Sequence, residues 1–248
     1  MKPKVLIFDL DGTLAESKQR LSADMGDLID KLLAQMPVAI MSGGGWAQFE
    51  TQFFPALAGE HFEHLYIFPD NAAQCFVHRN GEWHPQYDHA FTAPERERIM
   101  AAFAEALAET GLSEPPTPVW GERIEDRGAE ITFSGLGQTA PQEAKKQWDQ
   151  DGSKKKALRD ALALRLPEFS VGANGSTSVD ITRKDINKAY GVTRLAELTH
   201  TDVHDMLYIG DALEDGGNDS VVIQTGVPTH EVFSVAETSG IIERILTL

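Results

Sequence analysis

The stretch VLIFDLDGT, residues 5–13, decides how the rest of the chain is read. Val5 to Phe8 run without alternation into Asp9, and Asp11 and Gly12 follow directly. An unbroken apolar run of this length suits a strand buried on both faces of a parallel sheet. In such sheets ligands gather outside the carboxyl ends of the strands. Asp9 and Asp11 therefore stand where a binding edge is expected.

The same signal recurs on both sides of a different middle. A helical pattern around Ser22 to Leu33 leads to VAIM (38–41), which ends in Ser42 and a run of glycines; a second helical pattern, Trp46 to Leu57, precedes HLYIFPDN (64–71). Near the end, a helix around Ile186 to Leu198 leads to DMLYIGD (205–211), a loop, a helix from Asp219, a strand EVFSV and a last helix. Strand and helix in alternation predict a doubly wound α/β core. Between these parts, QCFVHRNGEWHPQY (74–87) carries Asn-Gly in an alternating pattern, a hairpin signal. Thr92 to Gly111 reads as a helix with Thr92 as N-cap and Pro94 in its first turn. AEITFSG (129–135) reads as a strand, PQEAKKQWDQDGSKKKALRDALALRL as a broken helix, and FSVGANGSTSVDITR as strand, Gly-rich turn and strand. The expected organisation is a core of residues 1–82 and 188–248 with an α+β insertion at 83–187.

Composition narrows the function. The 248 residues hold 38 Asp plus Glu against 22 Lys plus Arg, a formal charge of −16. Binding to nucleic acid or to an anionic membrane rests on basic patches, so neither is expected. An anionic substrate needs a metal or a few local cations to override that field. Cys75 is the only cysteine, so no intrachain disulfide can form. No apolar stretch approaches the roughly 20 residues of a membrane span, and the expectation is a cytoplasmic protein. His78, His84, His89 and His204 lack metal-ligand spacing, and Trp46, Trp83, Trp120 and Trp148 read as packing residues.

Three strands end in polar residues at one edge: Asp9 with Asp11, Ser42, and Asp211. Converging carboxylates favour a hard cation, and Mg²⁺ takes one or two carboxylates together with phosphate oxygens. With the cation on one oxygen of Asp9, the other can attack phosphorus. Asp11 can give and take the proton of the leaving or attacking oxygen. Gly12 leaves room for a phosphate to approach backbone amides, Ser42 can donate to the transferring group, and a lysine near the second crossover can neutralise its charge.

DLDGT, Ser42, Lys188 and GDALEDGGND, in that order and spacing, resemble the four motifs of the haloacid dehalogenase (HAD) superfamily. The resemblance implies a Rossmann-like core with an inserted α+β cap of type C2B. It makes Asp9 the nucleophile and Asp11 the acid/base. Mg²⁺ would be held by Asp9, the Asp11 carbonyl and Asp211, with Asn218 and Asp219 beside it. Lys188 would pair with phosphate and nucleophile; Lys184 is its rival, but Lys188 opens the core helix. Gly12, Thr13 and Gly43 fall within the phosphate-facing motifs.

Nearly the whole chain is similar to the eukaryotic-type α-phosphomannomutases, through YIFPDNAA, RGAEITFSGLG, STSVDI and GGND. On that match Arg127, Ser178 and Asp180 line the cap side of the site, and the family's dimerisation through the cap makes a homodimer an expectation. The departures carry the functional reading. Gln138 stands for one family arginine, Lys145 and Lys18 for two others, and Glu130 for a methionine. Lysine is a point charge where arginine is a bidentate fork, and glutamine carries none. A mutase must hold a sugar bisphosphate in two orientations, so thinned cap cations point to a phosphatase of sugar phosphates or similar small esters. The phosphomannomutase reaction is the alternative, and a scaffold that only binds a phosphorylated ligand is the remote one. If Glu130 faces the substrate it weakens distal phosphate binding, whereas a solvent-facing Glu130 carries no meaning. Asp215 replaces a proline and is either an extra loop carboxylate near the metal or a solvent-facing one.

Overall fold

The computed structural model describes residues 2–173 and 176–248, in two compact units: Met1–Asp88 with Ile186–Leu248, and His89–Asp185. The first unit is built on a seven-stranded sheet of order β11-β10-β1-β2-β3-β4-β5. Its strands are β1 (Val5–Asp9), β2 (Val38–Met41), β3 (Leu65–Phe68), β4 (Gln74–Arg79), β5 (Glu82–Asp88), β10 (Met206–Gly210) and β11 (Thr229–Glu231). β11, β10, β1, β2 and β3 are parallel, and the β4–β5 hairpin adds antiparallel at one edge.

Side-chain alternation divides β1 between two apolar layers. Leu6 and Phe8 pack with helix α1 (Ala23–Leu33) and helix α7 (Val235–Leu246), while Val5 and Ile7 pack with helix α6 (Lys188–Thr199). Asp9 shares the parity of Val5 and Ile7 and so turns toward the α6 side. After β2 the chain forms one turn of helix α2 (Trp46–Gln48), a π turn (Phe49–Phe53) and a 3-10 turn (Phe54–Ala56). Asn187 caps α6, its side chain accepting from the Ala189 and Tyr190 amides at 2.9 and 3.2 Å.

The second unit has an antiparallel sheet of order β6-β7-β9-β8, from β6 (Ile124–Asp126), β7 (Glu130–Ser134), β8 (Phe169–Gly172) and β9 (Ser178–Arg183). Helices α3 (Ala93–Glu109) and α5 (Ser153–Arg165) bury Ile131, Phe133, Val179 and Ile181, and α4 (Gln142–Trp148) precedes α5. Period-2 alternation then assigns Glu130, Thr132, Ser134, Ser178 and Asp180 to the opposite face. Thr92 and Glu95 close a reciprocal capping box at the start of α3.

Three differences from the sequence expectations have local causes. The insertion begins after Asp88 and not at 83, because β5 pairs with β4 along its whole length and so belongs to the core sheet. The last strand is Thr229–Glu231, not 231–235, since Ser234 caps α7 by accepting from the Glu237 amide. The helix expected from Asp219 is a 3-10 turn, Ser220–Thr225. The Gly-rich turn between β8 and β9 includes Asn174 and Gly175, outside the described residues. Among the described residues no helix is long and apolar enough to cross a membrane.

The approach of α6 to the sheet depends on Gly191. A Cβ there would lie 2.6 Å from the Ala72 Cβ and 3.2 Å from the Met41 Sδ. Gly191→Ala should destabilise by about 1–3 kcal/mol through overpacking. Adding Ala72→Gly should recover part of the loss, since Ala72 is the contact and itself sits at a left-handed φ of 67°. Thermal melts of the single and double variants check both; additive losses would contradict the contact.

Candidate active site

The carboxyl ends of β1, β2 and β10 deliver Asp9, Ser42 and Asp211 to one edge, as register pairs Asp9 with Met41 and Phe8 with Ile209. Lys188 opens α6 on the face toward which Asp9 turns. Its ammonium is buried and donates to Asp9 Oδ1 and, at 2.6 Å, to Asp219 Oδ1. Asp219 also accepts from the Tyr208 hydroxyl at 2.7 Å and from the Ala212 amide at 3.3 Å. Both oxygens of this fully buried carboxylate thus face donors, as a buried polar group requires.

The charges set one another. Desolvation alone would lower the Lys188 pKa, but Asp9 and Asp219 together outweigh it and hold the ammonium above its ordinary value. Burial, with Asp219 and Asp211 adding to it, pushes Asp9 up to about 7 against the pull of Lys188. Burial and then Asp219 raise Asp211 also. The three carboxylates, Asp9, Asp211 and Asp219, bring oxygens within 4.8 Å of one another. This is an all-oxygen donor set with too little positive charge of its own, and it fits a hard divalent cation. Gly12, at φ 91°, clears the space beside it: a Cβ there would lie 2.2 Å from Asp211 Oδ2. Thr13, fully buried, reaches Asp211 Oδ1 at 3.5 Å.

Ser42 is buried, and its Oγ accepts from the Gly44 amide at 3.0 Å. That contact leaves the hydroxyl proton to point elsewhere. Gly43 lies beside the Asn71 side chain. Lys188 is buried among carboxylates whereas Lys184 is exposed. Asn218 is exposed next to buried Asp219, and Asp215 is exposed on the same loop. The exposed Lys18 meets the site through its backbone: its amide donates to Asp11 Oδ1 at 2.7 Å.

Asp11 has two further partners that sequence reasoning missed. Gln48 Nε2 donates to Asp11 Oδ2 at 2.7 Å and Gln52 Nε2 to Asp11 Oδ1 at 2.9 Å. The available signal was two glutamines four apart in a segment otherwise rich in Trp and Phe, spacing that puts both on one helical face.

In the second unit the expected substrate-binding residues have partners of their own. The Arg127 guanidinium donates twice to Glu125, at 2.9 and 2.7 Å, and once to Glu130 at 2.9 Å. Glu130 is buried, so it does not face solvent; burial and then Asp180 push it up to about 7 against the pull of Arg127. Asp180 and Ser178 lie along β9 on the polar face, Asp180 opposite Thr132 and Ser178 opposite Ser134. Lys145 Nζ donates to the Gln138 carbonyl at 3.3 Å.

The chain is similar to several known proteins. Residues 141–217 match the model of a family described as haloacid dehalogenase-like hydrolase. A phosphomannomutase of Encephalitozoon cuniculi is 26% identical, covering 87% of this chain and 82% of its own. That of Saccharomyces cerevisiae is 24% identical, covering 100% and 96%. Similar folds include a haloacid dehalogenase-like hydrolase from Bacteroides thetaiotaomicron (TM-score 0.68, 16% identity, 98% and 100% covered) and a trehalose-6-phosphate phosphatase from Aspergillus fumigatus (0.62, 17%, 100% and 94%). With four motifs in order, the chain is similar to the haloacid dehalogenase-like hydrolases over residues 141–217 and to the phosphomannomutases along most of its length, and it shares the fold of the solved structures.

Proposed function

We propose that the protein is a Mg²⁺-dependent phosphatase of sugar phosphates or similar small phosphate esters, acting through an aspartyl phosphate on Asp9. The observation that carries the chemistry is the buried Lys188 bridging Asp9 and Asp219 beside Asp211. Lys188 holds one oxygen of Asp9, and the other forms the bond to phosphorus. As the P–O bond of the ester breaks, its electron pair stays on the departing oxygen, which takes the proton of Asp11. Water then bonds to phosphorus and gives a proton to Asp11, and the Asp9–phosphorus bond breaks with its pair returning to the carboxylate. Ser42 and the amides after Gly12 donate to the phosphoryl oxygens, with Thr13 and Gly43 shaping their surroundings. Mg²⁺, held by Asp9, the Asp11 carbonyl and Asp211 with Asn218 and Asp219 beside it, would neutralise phosphoryl charge.

Hydrolysis rather than transfer is favoured by the second unit. Arg127, the one arginine the resemblance leaves for a distal phosphate, already holds Glu125 and Glu130. A second phosphate would have to compete with two carboxylates for it, with Asp180 on the same sheet face. Within the second unit, Lys145, Ser178 and Asp180 are then the residues proposed to recognise a hydroxylated leaving group; Lys18, in the first unit, is proposed separately as a substrate contact. Phosphohexomutase activity is the second reading, supported by relatives named phosphomannomutase along most of the chain.

Purified protein with Mg²⁺ and a panel of sugar phosphates should release inorganic phosphate, and Asp9→Asn should reduce release to background. Interconversion of hexose 1- and 6-phosphates that needs a bisphosphate, with little free phosphate, would instead establish the mutase reading.

Removing the acids that hold Arg127 should change the preference. Glu125→Gln with Glu130→Gln should lower the KM for a hexose bisphosphate by about tenfold, the scale of one charge-assisted hydrogen bond. Unchanged KM would mean that Arg127 does not meet the substrate.

Glu130 also predicts a pH dependence. Its folded pKa lies above the ordinary value of 4.5, so between 4.5 and about 7 the folded state binds the extra proton. Stability contributed by Glu130 is therefore present at low pH and lost as pH rises through that window. Between pH 5 and 7.5 the melting temperature of the wild type should fall by a few degrees relative to Glu130→Gln; parallel curves would refute this.

A further inference from the structure

We infer that Gln48 and Gln52 are positioning residues that hold the Asp11 carboxyl group for proton transfer, an inference that rests on the reading of Asp11 as acid and base. Both amides turn their nitrogens toward Asp11, whose oxygens accept from them. Gln48 Nε2 takes Oδ2 at 2.7 Å, and Gln52 Nε2 takes Oδ1 at 2.9 Å. The second proton of Gln48 Nε2 goes to Gln52 Oε1 at 2.7 Å, so each glutamine fixes the other. With the Lys18 amide on Oδ1, both oxygens are gripped and rotation of the carboxyl group is stopped.

The surroundings are arranged for these amides and not for packing. Gln52 is 5% exposed, within a helical stretch whose Phe49 and Phe53 are fully buried, where leucine would serve a core as well. A buried amide is costly unless its polar atoms are paired, and Asp11 supplies that partner. The Gln52 carbonyl accepts from the Leu21 amide at 2.8 Å, tying the turn to the segment that follows Asp11. Gln52 lies in a π turn, a form found often at functional sites. Gly44 has no Cβ where the Gln48 amide lies: one would fall 1.3 Å from Oε1.

The consequence is directional. When Asp11 gives its proton to a departing alkoxide, negative charge develops on a carboxylate already faced by three donors, with no groups left to reorganise. A poor leaving group, such as a sugar hydroxyl, depends on that transfer. The p-nitrophenolate of p-nitrophenyl phosphate leaves as a stabilised anion and does not.

The test is kcat/KM, which covers the steps through release of the leaving group, on a sugar phosphate that the enzyme hydrolyses and on p-nitrophenyl phosphate. Gln48→Leu, Gln52→Leu and the double variant should lose about 10- to 100-fold on the sugar phosphate, within the range of a general acid's contribution, and less than about threefold on the aryl ester. Asp11→Asn should show the same contrast, larger. Both esters are compared in one protein, so partial unfolding lowers both alike, and the half-buried Gln48 gives a variant that keeps the fold should Gln52→Leu lose it. Equal losses on both esters in a variant with unchanged melting temperature, no loss on either, or a gain on the sugar phosphate would overturn the inference. If Asp11→Asn itself lacks the contrast, the reading of Asp11 fails, and the inference fails with it.

Discussion

The burial of the Lys188 ammonium between Asp9 and Asp219 is the constraint on which the first unit depends. Removing one partner of a buried pair leaves an uncompensated charge, at a cost of about 3–5 kcal/mol. The cluster is unbalanced even when intact, for among the described residues the carboxylates Asp9, Asp211 and Asp219 are set against the one ammonium of Lys188. Burial first, with Asp219 and Asp211 adding to it, raises Asp9 to about 7 against the pull of Lys188. A site with this deficit gains most from a divalent cation and an electrophilic phosphorus, which is the chemistry assigned to it.

Several ordinary structural rules are bent to place that lysine. A cation at the first position of a helix opposes the macrodipole, so nothing in helix formation explains Lys188 there. Asn187 supplies the cap, and the two carboxylates supply the compensation. Strand parity turns Asp9 to the α6 side, and Gly191 lets the helix come close enough for the ammonium to reach it. Local rules and global fold disagree at this point, which is where functional sites are expected.

Much of this was legible in the sequence. Continuous apolar runs marked β1, β2, β3 and β10, and the residues closing β1, β2 and β10 are those the structure brings to one edge. Asn80-Gly81 marked the hairpin, and Thr92 with Pro94 the start of α3. Other features left little local trace. β6 and β11 have three residues each, too few for a period. The β4–β5 hairpin reads like the start of an insertion, yet its pairing with β3 is long-range and invisible to pattern. Gln48 and Gln52 match no motif, since what makes them a pair is Asp11, 37 and 41 positions away. The Arg127–Glu130 contact depends on a tight turn through Gly128, in which the Arg127 amide donates to the Glu130 carbonyl at 2.8 Å.

The choice between water and a sugar hydroxyl as phosphoryl acceptor follows from what must be bound twice. A mutase intermediate carries two phosphates and must present each in turn to the nucleophile, so in both orientations one dianion rests against the recognition residues. Under the proposed reading, an arginine already shared by Glu125 and Glu130, close to Asp180, would penalise both orientations. Hydrolysis of a monophosphate never puts a second dianion there, and a sugar's hydroxyls can donate to the same carboxylates. The acids that weaken a mutase are therefore compatible with a phosphatase. Under the proposed reading, Glu130 in place of the family's methionine and Gln138 in place of a further arginine are what tilt the balance toward hydrolysis.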